Sequence, residues 1–134
     1  MRFLLDTNAV IALFNNDSPR LSQRVRACQV SDIGLSVIVA YELFFGAFKS
    51  QRQEHNLRRV ELIGFPLVPL DWAAARAAGE IRALLAQGGQ PIGPYDTLIA
   101  GQALSRNLIL VTSNTKEFGR VPRLVVEDWS RADS

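Results

Sequence analysis

Short apolar runs recur along the chain, and several of them end abruptly at polar residues. Residues 2–5 form such a run before Asp6, and residues 109–111 form another before Thr112. Short apolar runs bounded by polar or turn-forming residues are typical of strands buried inside a sheet. The pattern predicts strands at residues 2–5, 33–35, 66–70 and 109–111, with a fifth at residues 124–126.

Between these runs, the apolar residues are spaced as on one face of a helix, and residues that favour helix ends mark the boundaries. Ser18 followed by Pro19 is typical of a helix start, and Ser36 and Asp71 precede two further helical segments. The segment after Asp71 is rich in alanine and follows the helical period. The predicted helices cover residues 9–14, 19–28, 37–48, 51–63, 72–87 and 94–106.

Short strands that alternate with helices predict an α/β fold, with a parallel sheet of four to five strands covered by helices on both faces. The chain contains no repeat, low-complexity segment or linker, so residues 1–134 are predicted to form a single domain. In such sheets, ligands bind beyond the carboxyl ends of the strands. Asp6 and Thr112 both follow a predicted strand directly, which makes that edge the expected site.

The amino-acid composition restricts the possible catalytic mechanisms more than the net charge does. A net charge of +2 is compatible with nucleic-acid binding without requiring it. The single histidine, His55, lies in a polar run, which excludes histidine-rich zinc sites and paired-histidine ribonuclease mechanisms and predicts an exposed helix residue. The sequence also shows no signal peptide or transmembrane run, and its one cysteine is Cys28, so a cytoplasmic protein is expected.

Catalysis must therefore use carboxylates, and three of them stand out: Asp6, Glu42 and Asp96. Each has an ordinary alternative explanation. Asp6 could cap a helix, Glu42 could pair with a buried arginine inside its apolar segment, and Asp96 could favour the helix dipole. Together they are carboxylates without a matching set of basic partners. Such a cluster is stabilised by Mg²⁺ or Mn²⁺, which can also activate a water to attack a phosphodiester.

Four sequence blocks resemble the PIN-domain ribonucleases. They are residues 3–14 around Asp6, residues 36–46 around Glu42, residues 92–100 around Asp96 and residues 111–118 around Glu117. The last block, with Glu127-Asp128-Trp129 after it, is similar to the VapC toxins of bacterial type II toxin–antitoxin systems. The resemblance extends over essentially the whole chain and includes the order of the blocks.

The resemblance implies that Asp6, Glu42 and Asp96 bind the metal and that Glu117 is a fourth catalytic acid. It assigns to a further group of residues the task of holding the carboxylates or waters in place: Thr7, Asn8, Thr112 and Asn114. The implied activity is Mg²⁺- or Mn²⁺-dependent endonucleolytic cleavage of RNA that leaves 5′-phosphate and 3′-hydroxyl ends. The variant seen here is similar to the VapC group that cuts initiator tRNA, tRNA(fMet), in its anticodon loop.

The resemblance also implies a homodimer and inhibition by a small VapB antitoxin, whose C-terminal segment lies across the active-site groove. Phe44, Phe45 and Phe48 are candidates for a dimer or antitoxin surface, although an aromatic stripe is more often part of a core. Tyr95, beside Asp96, is a candidate for stacking on an RNA base, with a place in the core or at the rim as the alternative.

Two other functions are also compatible with the sequence. The first is a phosphohydrolase with Asp6 as nucleophile, supported by Thr112 and Lys116. That chemistry usually needs a second acid two residues after the nucleophile, where this chain has Asn8. The second is a non-catalytic module that binds RNA or protein.

Overall fold

The computed structural model describes residues 1–132. Its centre is a five-stranded parallel sheet with the order β3-β2-β1-β4-β5. The strands are β1 (Phe3–Leu5), β2 (Ile33–Ser36), β3 (Leu67–Val68), β4 (Ile109–Val111) and β5 (Val126–Glu127). In the central register, Phe3 pairs with Ile33 on one side and with Ile109 on the other. The predicted α/β fold with a short parallel sheet is confirmed.

Seven α-helices connect or flank these strands within the described residues. They are α1 (Thr7–Asn15), α2 (Pro19–Ala27), α3 (Val37–Lys49), α4 (Gln53–Glu61), α5 (Trp72–Gln87), α6 (Pro94–Ser105) and α7 (Thr115–Phe118). The predicted caps form, because the side chains of Ser18, Ser36 and Asp71 each accept a hydrogen bond from a backbone amide of the helix that follows. In this part of the chain, no helix has the length and apolarity needed to cross a membrane.

The structure differs from the sequence-based boundaries mainly at the edges of the sheet. The strand predicted over residues 66–70 is reduced to Leu67–Val68, because prolines at both flanks cannot donate to a neighbouring strand. The fifth strand lies at Val126–Glu127 instead of residues 124–126. The short helix α7 and a 3₁₀ turn at Val30–Asp32 were not predicted, since elements of three or four residues show no period.

A buried polar contact holds α6 against the sheet. The Ser36 hydroxyl, at the end of β2, donates to the Gln102 side-chain oxygen at 2.5 Å. The Gln102 amide donates in turn to the carbonyls of Val68 and Pro69, at 3.1 Å each. Buried polar groups that are fully hydrogen-bonded define one arrangement of the elements around them. The helix that carries Asp96 is therefore fixed relative to β2 and β3.

Candidate active site

The carboxyl ends of three neighbouring strands bring polar residues to one edge of the sheet. Asp6 follows β1, Thr112 follows β4 and Asp128 follows β5. The Asp6 amide donates to the Val111 carbonyl at 3.1 Å, which joins the first two of these ends. The Thr112 amide donates to the Glu127 carbonyl at 2.9 Å, which joins the last two. Backbone hydrogen bonds therefore connect the carboxyl ends of β1, β4 and β5, at the edge of the sheet where the site was expected.

Asp6 is almost completely buried, with 3% of its surface exposed. One carboxylate oxygen accepts from the Ala9 amide at 2.8 Å and caps α1, while the other accepts from the Thr112 hydroxyl at 2.5 Å. Burial raises the pKa of Asp6, the two hydrogen bonds oppose that shift, and Glu42 and Asp128 add to it. The capping role considered from the sequence is thus real, and the same carboxylate also faces other acids.

Glu42 lies in the second turn of α3 and accepts from the Thr7 hydroxyl at 2.6 Å. Glu42 is less enclosed than its apolar sequence neighbours suggest, because it is only half-buried and the adjacent Tyr41 is exposed. A helix places successive residues on different faces, so an apolar run in the sequence does not determine how far a residue within it is buried. The observed partner is the Thr7 hydroxyl instead of an arginine.

Asp96 occupies the first turn of α6 and is partly buried. Burial, followed by the charges of Asp6, Glu42 and Glu117, raises its pKa from 3.8 to about 6. Carboxylates raise one another's pKa in this way only when they share a small space. The acids that were predicted from separate blocks of the sequence therefore lie close enough to affect the pKa of Asp96.

Glu117 is held by Asn114, whose side-chain amide donates to the carboxylate at 3.0 Å. The Asn114 backbone amide donates to the Thr112 hydroxyl at 2.9 Å, and that hydroxyl donates to Asp6. A continuous path of hydrogen bonds thus connects Glu117 with Asp6. Thr7, Thr112 and Asn114 each donate a side-chain hydrogen bond to a carboxylate of this group.

Two predicted site residues lie at the margin of this cluster. Asn8 is exposed and lines a small cavity of about 50 Å³ together with Thr112 and Asp128, and within residues 1–132 it makes no hydrogen bond to a carboxylate. Tyr95 is 42% exposed and contacts the Tyr41 ring. The hydrogen bond to Tyr41 is the main cause that raises the pKa of Tyr95, and the charge of Glu42 is the smallest.

Sequence reasoning missed Asp128 as part of the acidic cluster. Asp128 is close enough to raise the pKa of Asp6, while its own carboxylate accepts from the Ser130 amide at 2.9 Å and from the Ser130 hydroxyl at 2.5 Å. The signal was available, because Asp128 comes two residues after the predicted fifth strand at residues 124–126, much as Asp6 follows the first strand. Extending the strand-end rule to the edge strand would have identified it.

Residues 3–124 of the chain match the PIN domain. The chain belongs to the PIN domain family. Its relatives include a tRNA(fMet)-specific endonuclease VapC from Shigella flexneri, which is 44% identical over 97% of this chain and 99% of that protein. A protein of the same description from Salmonella typhimurium is 41% identical over 96% of this chain and 98% of its own length.

A solved structure described as DNA-bound VapBC from Salmonella typhimurium matches this PIN domain with a TM-score of 0.90. The identity is 41%, and the match covers 96% of this chain and 98% of that chain. A VapBC2 structure from Rickettsia felis, bound to a promoter DNA fragment, matches with a TM-score of 0.88 at 32% identity, covering 96% of this chain and 99% of that chain. The resemblance to VapC ribonucleases is confirmed over nearly the full length.

The donor set of this PIN domain suits a hydrated divalent ion. Within residues 1–132, no three acidic, histidine or cysteine side chains are placed to ligate one ion directly. Mg²⁺ usually keeps several waters and is bound by about one or two carboxylates, so direct contact with three is not required. Asp6, Glu42 and Asp96 are all oxygen donors whose mutual repulsion a cation would relieve. The site therefore fits a divalent metal.

The raised pKa of Asp96 predicts that the metal-free PIN domain loses stability as the pH rises to about 6. Because the pKa of Asp96 in the folded protein lies above its ordinary value of 3.8, the native state keeps a proton that the unfolded chain has released. Stability is therefore higher below the unfolded pKa and falls as the pH rises through the folded pKa. Thermal melts with chelator at about pH 5 and about pH 7.5 measure the difference.

Asp96→Asn is the matching variant, because it removes the titrating group and keeps the size of the side chain. We expect its melting temperature to change less between the two pH values than that of the wild type. Added Mg²⁺ should raise the wild-type melting temperature most at the higher pH, where the carboxylates are ionised. Equal pH dependence of the two proteins would contradict the placement of Asp96 among the other acids.

Proposed function

We propose that this PIN domain is the toxin of a type II toxin–antitoxin pair and acts as a Mg²⁺-dependent endoribonuclease. The observation that carries the proposal is the convergence of Asp6, Glu42, Asp96 and Glu117 at the carboxyl edge of the sheet, in a chain similar to VapC ribonucleases. The proposed substrate is initiator tRNA cut in its anticodon loop, because two relatives are named tRNA(fMet)-specific endonucleases. Such a substrate places the activity in the cytoplasm.

In this mechanism, Asp6, Glu42 and Asp96 would hold the metal, and Glu117 would act through a bound water. A bound Mg²⁺ supplies a Lewis acid for the phosphodiester and lowers the pKa of an attacking water. The Thr7 hydroxyl keeps the Glu42 carboxylate pointed into the site through their 2.6 Å hydrogen bond. Such orienting contacts limit the rearrangement needed when charge develops in the reaction.

A single-stranded loop fits this site better than a duplex does. The acidic cluster lies at the carboxyl ends of the strands, with Asp6 just before α1 and Asp96 near the start of α6. A regular A-form helix keeps its backbone rigid and its bases stacked, whereas loop nucleotides can turn outward. Cleavage in an anticodon loop is consistent with that requirement.

A VapB-type antitoxin is the proposed partner, together with a second copy of the toxin. An apolar pocket of about 230 Å³ lies beside the acidic cluster, with Glu42 in its wall and Ile11, Phe14 and Arg59 among its other residues. Phe45 and Phe48 on α3 are 60% exposed each, while Phe44 packs against the core. These features support a protein-binding surface that reaches the active site. VapBC assemblies of the relatives are the precedent.

The decisive experiment uses antitoxin-free protein incubated with total tRNA, in Mg²⁺ and in chelator. Sequencing the 5′ ends of the fragments identifies the RNA and the bond that is cut. We expect one predominant cut in the anticodon loop of initiator tRNA, dependent on Mg²⁺ and suppressed when the cognate antitoxin is added first. Cleavage spread over all tRNAs would contradict the proposed substrate but not the ribonuclease activity.

The same protein preparation distinguishes the two alternative functions, the non-catalytic module and the phosphohydrolase, by different results. Equal RNA binding in Mg²⁺ and in chelator, without any cleavage, would favour a non-catalytic module. A phosphorylated Asp6 trapped during turnover would favour the phosphohydrolase. The geometry disfavours the phosphohydrolase, since both oxygens of Asp6 are hydrogen-bonded and the side chain is almost fully buried. A carboxylate held in this way is poorly placed to attack a phosphate.

A further inference from the structure

Tyr41 and Tyr95 form an exposed aromatic pair next to the acidic cluster. They are the only two tyrosines of the chain, and their exposed fractions are 53% and 42%. Tyr41 directly precedes Glu42 on α3, and Tyr95 directly precedes Asp96 on α6. Two separate helices thus each present a ring beside an acid of the cluster.

The two rings touch each other in a defined orientation. Their centroids are 5.5 Å apart, their planes make an angle of 64°, and their hydroxyl oxygens are 3.2 Å apart. In an edge-to-face pair, each ring meets its partner through one side only, so aromatic surface remains open to solvent. The mutual hydrogen bond keeps both rings in place without a bound ligand. The pair is therefore a preformed, uncharged surface.

The position of the tyrosine pair beside the carboxylates indicates which chemical class of ligand binds there. Tyr41 and Tyr95 directly precede Glu42 and Asp96, and the contact between their rings joins the two helices at that point, so the pair borders the acidic cluster. Carboxylates repel the phosphates that flank a cut bond, and affinity near them must come from groups without negative charge. Nucleobases stack on aromatic rings, and every base has a face suited to this contact.

We propose that Tyr41 and Tyr95 bind the nucleobase adjoining the scissile phosphate, by stacking and through their hydroxyl groups. The inference rests on the proposed ribonuclease function and names a substrate-binding subsite of that site. The base is held at the rim while its phosphate reaches the acidic cluster. Because stacking is tolerant of base identity, the pair contributes to affinity and positioning more than to sequence choice.

The test uses a synthetic anticodon stem-loop of initiator tRNA in two forms: one with the base beside the cut bond and one abasic there. Tyr41→Ala and Tyr95→Ala are each expected to lower kcat/KM on the complete RNA by roughly tenfold to a hundredfold. Tyr41→Phe and Tyr95→Phe, which keep the rings, should lose less than about fivefold. On the abasic RNA, wild type and alanine variants should cleave at similar, reduced rates.

A fluorescent base gives a second readout that does not depend on cleavage. With 2-aminopurine at the same position, binding to wild type should quench its fluorescence, and the alanine variants should quench it much less. The matched control is Trp72→Ala, which removes an exposed ring at the start of α5 and should behave as wild type in every assay. Melting curves establish that the variants are folded.

The possible results separate this inference from the proposed function. The inference is overturned if the alanine variants match wild type in both cleavage and quenching. It is also overturned if they lose as much activity on abasic RNA as on the complete RNA. Weakened antitoxin binding with unchanged cleavage also overturns it and makes the pair a protein contact. Absence of cleavage by wild type would instead defeat the proposed function, and the quenching assay would still decide whether the rings bind a base.

Discussion

Replacement of Asp96 with asparagine is expected to lower the rate of RNA cleavage by at least about a hundredfold, because metal-assisted stabilisation of the reacting phosphate is worth several kcal/mol. Burial and the charges of three other acids raise the pKa of Asp96, so its carboxylate lies near theirs. The variant should fold normally, since the change removes one charge from a repulsive group. Single-turnover cleavage of initiator tRNA and growth after induced expression measure the effect.

Asp6→Asn and Glu42→Gln should reduce cleavage as strongly, whereas Glu117→Gln should reduce it less, since Glu117 is the proposed water-binding acid. Asparagine caps helices as well as aspartate does, so Asp6→Asn keeps the cap on α1. The control is Glu80→Gln, a change to an exposed acid that pairs with Arg123 and should leave activity unchanged. Near wild-type cleavage by Asp96→Asn would show that this assignment is wrong, and lost activity through unfolding would show that Asp96 is structural.

The second large effect is expected from Gly101→Ala, which should destabilise the protein although alanine is the better helix former. A Cβ at position 101 of α6 would lie 2.8 Å from the Ala74 carbonyl oxygen and 2.8 Å from both the backbone nitrogen and the Cβ of Ala78 on α5. Backbone cannot yield as a flexible side chain can. Overpacking of this kind typically costs about 1–3 kcal/mol, against roughly 1 kcal/mol gained in helix propensity.

Gly79→Ala is the matched control, because it also changes a helical glycine to alanine but meets nothing within 4 Å. We expect it to stabilise the protein by up to about 1 kcal/mol. Urea titrations measure the free energy of unfolding, which should fall for Gly101→Ala and rise for Gly79→Ala. Gly101→Ala should also slow cleavage, since a shift of α6 displaces Asp96, which the same helix carries. Stabilisation by Gly101→Ala would show that α5 and α6 can separate freely.

Much of the site was predictable because strand ends are visible in the sequence. Asp6 and Thr112 each follow an apolar run directly, and the carboxyl ends of adjacent parallel strands meet at one edge. The family resemblance placed Glu42, Asp96 and Glu117 at matching positions. The structure then shows these acids close enough to shift the pKa of Asp96. Their roles in metal binding and catalysis stay predictions until the variants are measured.

Other features depended on tertiary packing. The strand order β1-β4-β5 brings Asp128 near Asp6, although more than a hundred residues separate them in the chain. The exposed state of Phe45, the buried side of Phe44 and the contact between Tyr41 and Tyr95 follow from how α3 lies against its neighbours. None of these contacts can be predicted from the residues adjacent in sequence.

By itself, the sequence determined the alternation of strands and helices, the caps and the acidic character of the site, because these depend on residue type and local period. Only the tertiary structure decided which polar atoms meet. It gave Asp6 two simultaneous partners, and it gave Glu42 a hydroxyl in place of an arginine. The physical reason is that hydrogen bonds and charge interactions act over a few ångströms, and distances between remote residues exist only once the chain is packed.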